Sequence, residues 1–201
     1  MTIRAVFFDL GGVILRTEYQ APRQRLAERL NMTYEDLVRL VFENKSSQQA
    51  SIGAISPEQH WDEVLRLMHL PADQKDIVRN EFFGGDLLDV NLVDFIRSLR
   101  PGVKTGLISN AWLDLRDYIT SQHFEDAFDE MIISAEVGVM KPDAGIYQMA
   151  CAGVRVSPAE AVFVDDTARN VEGAKAVGMH GIQFKQPEEA IEEIKQILNH
   201  K

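Results

Sequence analysis

Four short stretches of the chain hold the residue types that could do chemistry together. Asp9 ends the apolar run Ala5-Val6-Phe7-Phe8 and is followed by Leu10, Gly11 and Gly12. Ser109 and Asn110 end a second run, Lys104-Thr105-Gly106-Leu107-Ile108, and Asp165 and Asp166 end a third, Ala161-Val162-Phe163-Val164. The fourth stretch, Val139-Met140-Lys141-Pro142, contributes an ammonium. Short apolar runs of this kind read as buried parallel strands, and the carboxyl edge of such a sheet is where open α/β folds bind ligands. If these strands are neighbours, three carboxylates, a hydroxyl and Lys141 converge. Crowded carboxylates repel, so their joint presence implies a cation. Hard oxygen donors with one or two carboxylates suit Mg²⁺, which keeps waters and shares phosphate oxygens. Gly11 and Gly12 add backbone freedom and let a ligand approach the main chain.

The elements that must position these groups follow from periodicity. From Asn91 onward the pattern alternates, with helices expected over 92–99, 113–122, 143–152, 167–177 and 187–198 and strands over 104–109, 130–134, 161–164 and 181–184. Such alternation indicates a parallel sheet with right-handed crossovers. Residues 17–85 break the rhythm and read as helical. Leu26 and Leu30 sit at i, i+4, and a Thr33/Asp36 capping pair precedes Leu37, Leu40, Val41 and Phe42. Ser56-Pro57 opens a helix through Trp61, Val64, Leu65 and Met68, and a last helix runs through Ile77, Val78 and Phe82 to Gly84-Gly85. The expected architecture is α/β: a Rossmann-like, three-layer parallel sheet core formed by 1–16 and 86–201, with a four-helix cap, 17–85, inserted beside Asp9.

A length of 201 residues suits one domain, or one core with a small insert. The net charge of −10 argues against nucleic acid as a partner, but not against a small phosphate at a locally positive site. No apolar run approaches the ~18 residues of a membrane span, and the N-terminus does not read as a signal peptide. A single cysteine, Cys151, cannot form an internal disulfide and leaves the redox compartment open, with a cytoplasmic location as the default. His60, His69, His123, His180 and His200 lack ligand spacing and read mostly as surface or helix-end residues, while Trp61 and Phe42 read as bundle core. Nothing in the sequence bears on oligomeric state.

Together these residues resemble the haloacid dehalogenase-like hydrolase superfamily. Asp9-Leu10-Gly11-Gly12-Val13 is similar to its first motif, Leu107-Ile108-Ser109-Asn110 to its second, Lys141-Pro142 to its third, and Val164-Asp165-Asp166-Thr167 to its fourth. Asn170-Val171-Glu172-Gly173-Ala174 and Gly178-Met179 resemble the continuation of the last. Four motifs in order, over nearly the whole chain, make a strong signal. The form of the first motif and the place of the insert resemble the branch holding small sugar-phosphate phosphatases and the phosphatase domain of soluble epoxide hydrolase.

The resemblance implies a Mg²⁺-dependent phosphomonoester hydrolase acting on a small phosphorylated metabolite such as a sugar phosphate. Asp9 would be the nucleophile, working through an aspartyl-phosphate. Mg²⁺ would be held by Asp9, the Gly11 backbone carbonyl and Asp166, with Asp165 close behind. Ser109 and neighbouring backbone N–H groups would hold phosphoryl oxygens, and Lys141 would balance charge on Asp9 and the phosphate. Asn110 either positions substrate or caps a helix starting near Trp112, the second being favoured. One departure stands out: phosphatases of this superfamily usually carry an acid/base Asp two residues after the nucleophile, and that position is Gly11. Two rival readings follow, a haloacid dehalogenase needing no metal and a catalytically impaired phosphate- or partner-binding member.

Overall fold

A computed structural model describes residues 2–199; His200 lies outside them. The chain opens on strand β1 (Ala5–Phe8) and a three-residue strand β2 (Leu15–Thr17). Five helices follow, α1 (Ala21–Arg29), α2 (Tyr34–Phe42), α3 (Lys45–Ser51), α4 (Pro57–Leu67) and α5 (Lys75–Phe83), and then strand β3 (Asp86–Leu88). The remainder alternates: α6 (Val90–Ser98), β4 (Lys104–Ser109), α7 (Leu115–Ser121), β5 (Glu130–Ile133), α8 (Ser134–Val137), α9 (Ala144–Gly153), β6 (Ala161–Asp165), α10 (Ala168–Ala176), β7 (His180–Gln183) and α11 (Pro187–Asn199).

The main sheet has the order β5-β4-β1-β6-β7, and every pairing in it is parallel. β1 is therefore the central strand, which explains why Ala5, Val6, Phe7 and Phe8 are all apolar and fully buried. Its side chains alternate between two faces. Val6 and Phe8 pack with Leu92, Ile96, Ile119 and Ile194, whereas Ala5 and Phe7 pack with Ile146, Tyr147, Phe163 and Met179. Helices on both faces make the three layers that the alternation predicts.

The inserted helices differ from expectation in three ways. There are five rather than four. The extra one, α3, reads Lys-Ser-Ser-Gln-Gln-Ala-Ser and has no apolar stripe, so periodicity does not reveal it. It is held instead by polar bonds: Asn44 caps it through Ser47 N, and Ser47 Oγ donates to Phe42 O at 2.9 Å. Second, β2 and β3 form an antiparallel ribbon at the base of the insert. Three-residue strands are too short to show alternation. Buried Arg23 on α1 ties the ribbon to the helices, pairing with Asp86 at 3.1 Å and donating to Phe82 O at 3.0 Å.

Third, Phe42 is not core. Leu37, Val41, Trp61, Val64, Val78 and Phe82 form the buried cluster between the helices, while Phe42 is 43% exposed. It neighbours Phe82, Phe83 and Trp112, the last a residue of the β4–α7 loop, with ring centres at 5.3, 6.3 and 6.0 Å. Trp112 also lies against His60, the ring centres 4.5 Å apart and the planes tilted by 53°. Aromatic rings from the insert thus meet one from the loop that follows Ser109 and Asn110.

His60 is no surface residue either. It is fully buried, its Nδ1 lies 2.8 Å from Ser46 Oγ, and burial pushes its pKa from the ordinary 6.5 down to about 4. The unfolded chain therefore binds a proton here that the folded chain refuses. The resulting stability is present above pH 6.5 and is lost as the pH falls toward 4. Between pH 7 and 5 we expect this residue to cost about 2 kcal/mol. Denaturant titrations at both pH values should show that loss in the native protein and a smaller one in His60→Gln.

Candidate active site

Because β1 lies between β4 and β6, the ends of three adjacent strands bring Asp9, Ser109 and Asp165 to one edge. The register pairs Phe8 with Leu107 on one side and with Val164 on the other. Asp9 keeps its backbone in the sheet, donating N–H to Val164 O at 2.9 Å. Its carboxylate is held through Oδ1, which accepts from Leu10 N at 2.7 Å and pairs with Lys141 Nζ at 2.8 Å. Burial, with the charge of Asp165, pushes the Asp9 carboxyl up to about 7 against the downward pull of the Lys141 ammonium.

Lys141 is the hub. Its side chain is fully buried and its ammonium bridges Asp9 Oδ1 and Asp165 Oδ2, at 2.8 and 2.7 Å. The ring of Phe163 lies 5.3 Å away. Asp165, at 0% exposure, has both oxygens engaged by the protein. Oδ1 accepts from Thr167 N at 2.8 Å, Oδ2 takes Lys141, and Asn170 Nδ2 reaches both at 3.2 and 3.1 Å. Asn170 is in turn fixed through its carbonyl, which accepts from Tyr147 OH at 2.7 Å. Neither Asn170 as a polar partner nor Tyr147 stood out in the sequence, because their roles depend on helices α9 and α10 packing side by side.

Asp166 behaves differently from its neighbour. It is exposed, and its carboxyl is raised by partial burial and by the charge of Asp165. Oxygens of Asp9, Asp165 and Asp166 lie within 4.8 Å of one another. An all-carboxylate donor set with one exposed member, Asp166, fits a hard divalent ion such as Mg²⁺.

The two glycines after Asp9 are not equivalent. Gly12 has φ +78°, and a Cβ there would collide with Asp166 Oδ2. Gly11 has open space around the same position and does not share the positive φ. Absence of a carboxylate at position 11 is thus not forced by the backbone. We expect Gly12→Ala to cost about 1–2 kcal/mol from the left-handed conformation alone and to weaken Mg²⁺ binding by displacing Asp166. Gly11→Ala should stay within about 0.5 kcal/mol. Thermal unfolding and calorimetric Mg²⁺ titration of the pair check this.

Ser109 is 3% exposed at the end of β4. Asn110 does not cap a helix: α7 starts at Leu115, and its N-cap is Asp114. Instead the amide of Asn110 bonds twice to the main chain of Lys141, at 2.8 and 3.0 Å. A cavity of about 740 Å³ lies elsewhere, between Arg16, Leu87, Asp89, Lys185 and Pro187. Its lining includes none of the convergent residues, so it is chemistry rather than volume that singles out the site.

The family model for haloacid dehalogenase-like hydrolases matches residues 3–178. The chain is 26% identical over 199 residues to a sesquiterpene phosphatase of Aspergillus oryzae, covering 98% of this chain and 97% of that protein. It is 31% identical over 217 residues to bifunctional epoxide hydrolase 2 of Mus musculus, but spans only 39% of that longer protein. A haloacid dehalogenase family enzyme of Bacteroides thetaiotaomicron, solved with magnesium and inorganic phosphate, superposes with a TM-score of 0.74. It is 22% identical, over 91% of this chain and 94% of that one, which is a likeness of fold.

Proposed function

The chain belongs to the haloacid dehalogenase-like hydrolase family and is a hydrolase, and from that premise we propose that it cleaves small phosphate monoesters through Asp9. The observation that carries this reading is the Asp9–Lys141–Asp165 chain of ion pairs beside exposed Asp166. Asp9 Oδ2 attacks phosphorus, and the ester oxygen leaves with the bonding pair and takes a proton from water. A second water then attacks phosphorus, releasing phosphate and restoring the carboxylate. Lys141 favours the ionised form of Asp9 and offsets charge as the anions meet. Ser109 would bind a phosphoryl oxygen. Asp9, the Gly11 carbonyl and Asp166 would hold Mg²⁺, with Asp165 behind them. When bound, the ion neutralises charge between nucleophile and phosphate.

Asp165 spends its oxygens on Lys141, Thr167 and Asn170, whereas Asp166 is exposed and accepts from Thr167 Oγ1. Asp166→Ala should therefore weaken Mg²⁺ more than Asp165→Ala does. Calorimetric titrations giving the reverse order would show the pair to be wrongly assigned.

A second reading of the leaving group has its own support. The ring of half-exposed Phe42 beside Trp112 and Phe83 favours an apolar group over a sugar, as does the likeness to a sesquiterpene phosphatase. Without an acid at position 11, rates should also fall as the leaving group becomes more basic. The test is phosphate release from sugar, aryl and isoprenoid monophosphates, with and without EDTA. Hydrolysis of one class, abolished by EDTA and restored by Mg²⁺, is expected. Chloride release from a 2-haloacid, insensitive to EDTA, would favour the dehalogenase rival, and no turnover of any ester the impaired one. The single cysteine, Cys151, leaves the redox compartment open, and a cytoplasmic location is proposed as the default.

A further inference from the structure

Asn110 follows Ser109 directly at the sheet edge, where an amide could be offered to a ligand. The geometry commits it elsewhere. Lys141 N donates to Asn110 Oδ1 at 2.8 Å, and Asn110 Nδ2 donates to Lys141 O at 3.0 Å. Donor and acceptor of one side chain thus grip the donor and acceptor of one residue's main chain. The side chain does what a neighbouring strand would do for a residue in a sheet. The gripped residue needs it: Lys141 lies in the loop between α8 and α9, outside any strand or helix, and 31 positions from Asn110.

What the grip controls is the place of an ammonium. A lysine side chain has four rotatable bonds, so its Nζ is located only if its Cα is located and its stem is packed. The stem is packed, for the Lys141 side chain is fully buried. The Cα is set by its own N and C=O, the two groups that Asn110 holds. From there Nζ reaches Asp9 at 2.8 Å and Asp165 at 2.7 Å. A shift of the main chain by a fraction of an ångström would lengthen one ion pair at the expense of the other.

We infer that Asn110 is a positioning residue for Lys141, acting on the reaction through the lysine main chain rather than by touching substrate. The inference rests on the reading of Lys141 as the charge partner of Asp9. It also accounts for Asn110 beginning no helix. The same side chain joins the end of β4, with Ser109, to the loop that carries the ammonium.

The test is a double-mutant cycle of Asn110→Ala and Lys141→Ala. With Lys141 present, Asn110→Ala should lower kcat roughly 10–100-fold, the usual effect of removing a group that orients a reacting one, and leave KM within about threefold. With Lys141→Ala in place, adding Asn110→Ala should change little. A second readout is the affinity for orthovanadate in the presence of Mg²⁺, by calorimetry, in all four proteins, and it should show the same collapse of the Asn110 effect. If Asn110→Ala does not fold, Asn110→Asp takes its place in the cycle: it still accepts from Lys141 N but repels Lys141 O, and an intermediate loss is expected.

Losses that multiply independently of Lys141, a raised KM at unchanged kcat, or no effect at all would each overturn the inference. Failure of the underlying reading looks different. In that case Lys141→Ala alone would leave both turnover and vanadate affinity at native values.

Discussion

Asp9→Asn is expected to lose at least ~10⁴-fold of phosphomonoester turnover, the scale on which removing a nucleophile acts, while the protein stays folded. The substitution keeps size and shape at the end of β1, so the central strand and its two packed faces are untouched. Asn can still accept from Leu10 N through its carbonyl oxygen, but a neutral amide neither attacks phosphorus efficiently nor leaves again. Stability should move the other way. Without Mg²⁺, burial holds the Asp9 carboxyl near 7, far above the ordinary 3.8. A carboxyl raised in this way stabilises the fold at low pH, and that contribution is lost as the pH rises from about 4 through about 7. The variant lacks this loss, so its stability relative to the native protein should grow with pH across that window. His60 acts in the opposite sense over nearly the same range, which is why each effect is taken from its own variant's difference. Phosphate release and metal-free denaturation curves at pH 5 and 8 provide the check. Native turnover in a folded Asp9→Asn protein would remove the proposed mechanism.

Lys141→Met should be the more damaging change to the fold. Methionine keeps most of the buried stem but leaves Asp9 and Asp165 facing each other without a counter-charge. Breaking a buried ion pair by removing one partner costs about 3–5 kcal/mol, and here one cation serves two anions. Protonation of Asp9 would relieve part of that cost, so the loss should be smaller at pH 5 than at pH 8. Turnover should fall by at least ~10²-fold, since a fixed charge at the reacting centre is lost. Adding Mg²⁺ should recover some stability and little activity, because a cation near the carboxylates replaces the charge but not its place. Chemical denaturation with and without Mg²⁺, alongside kcat, separates the two effects. A variant with native stability would mean that Asp9 and Asp165 do not depend on the ammonium.

What the sequence by itself determined was local. An apolar run that stops on a polar residue is a strand leaving a sheet whatever lies beside it, so the strand ends carrying Asp9, Ser109 and Asp165 were legible. So was the alternation that makes the sheet parallel, and so were the stripes of Leu37, Val41, Trp61 and Val64 in the inserted helices. The order of four motifs along the chain was enough to point to the family. Features that depend on which residues meet across long separations were not. Strand order alone puts β1 between β4 and β6, and so joins residues 9, 109 and 165. The grip of Asn110 on Lys141, the saturation of Asp165 by Asn170, and the meeting of Phe42 with Trp112 all link residues whose patterns carry no mark of each other. Helix α3 and the ribbon of β2 and β3 escaped for a related reason, being too polar or too short to show a period. Gly11 and Gly12 read alike as letters. Only the approach of Asp166 separates them, because a steric demand on one residue is made by another 154 positions away.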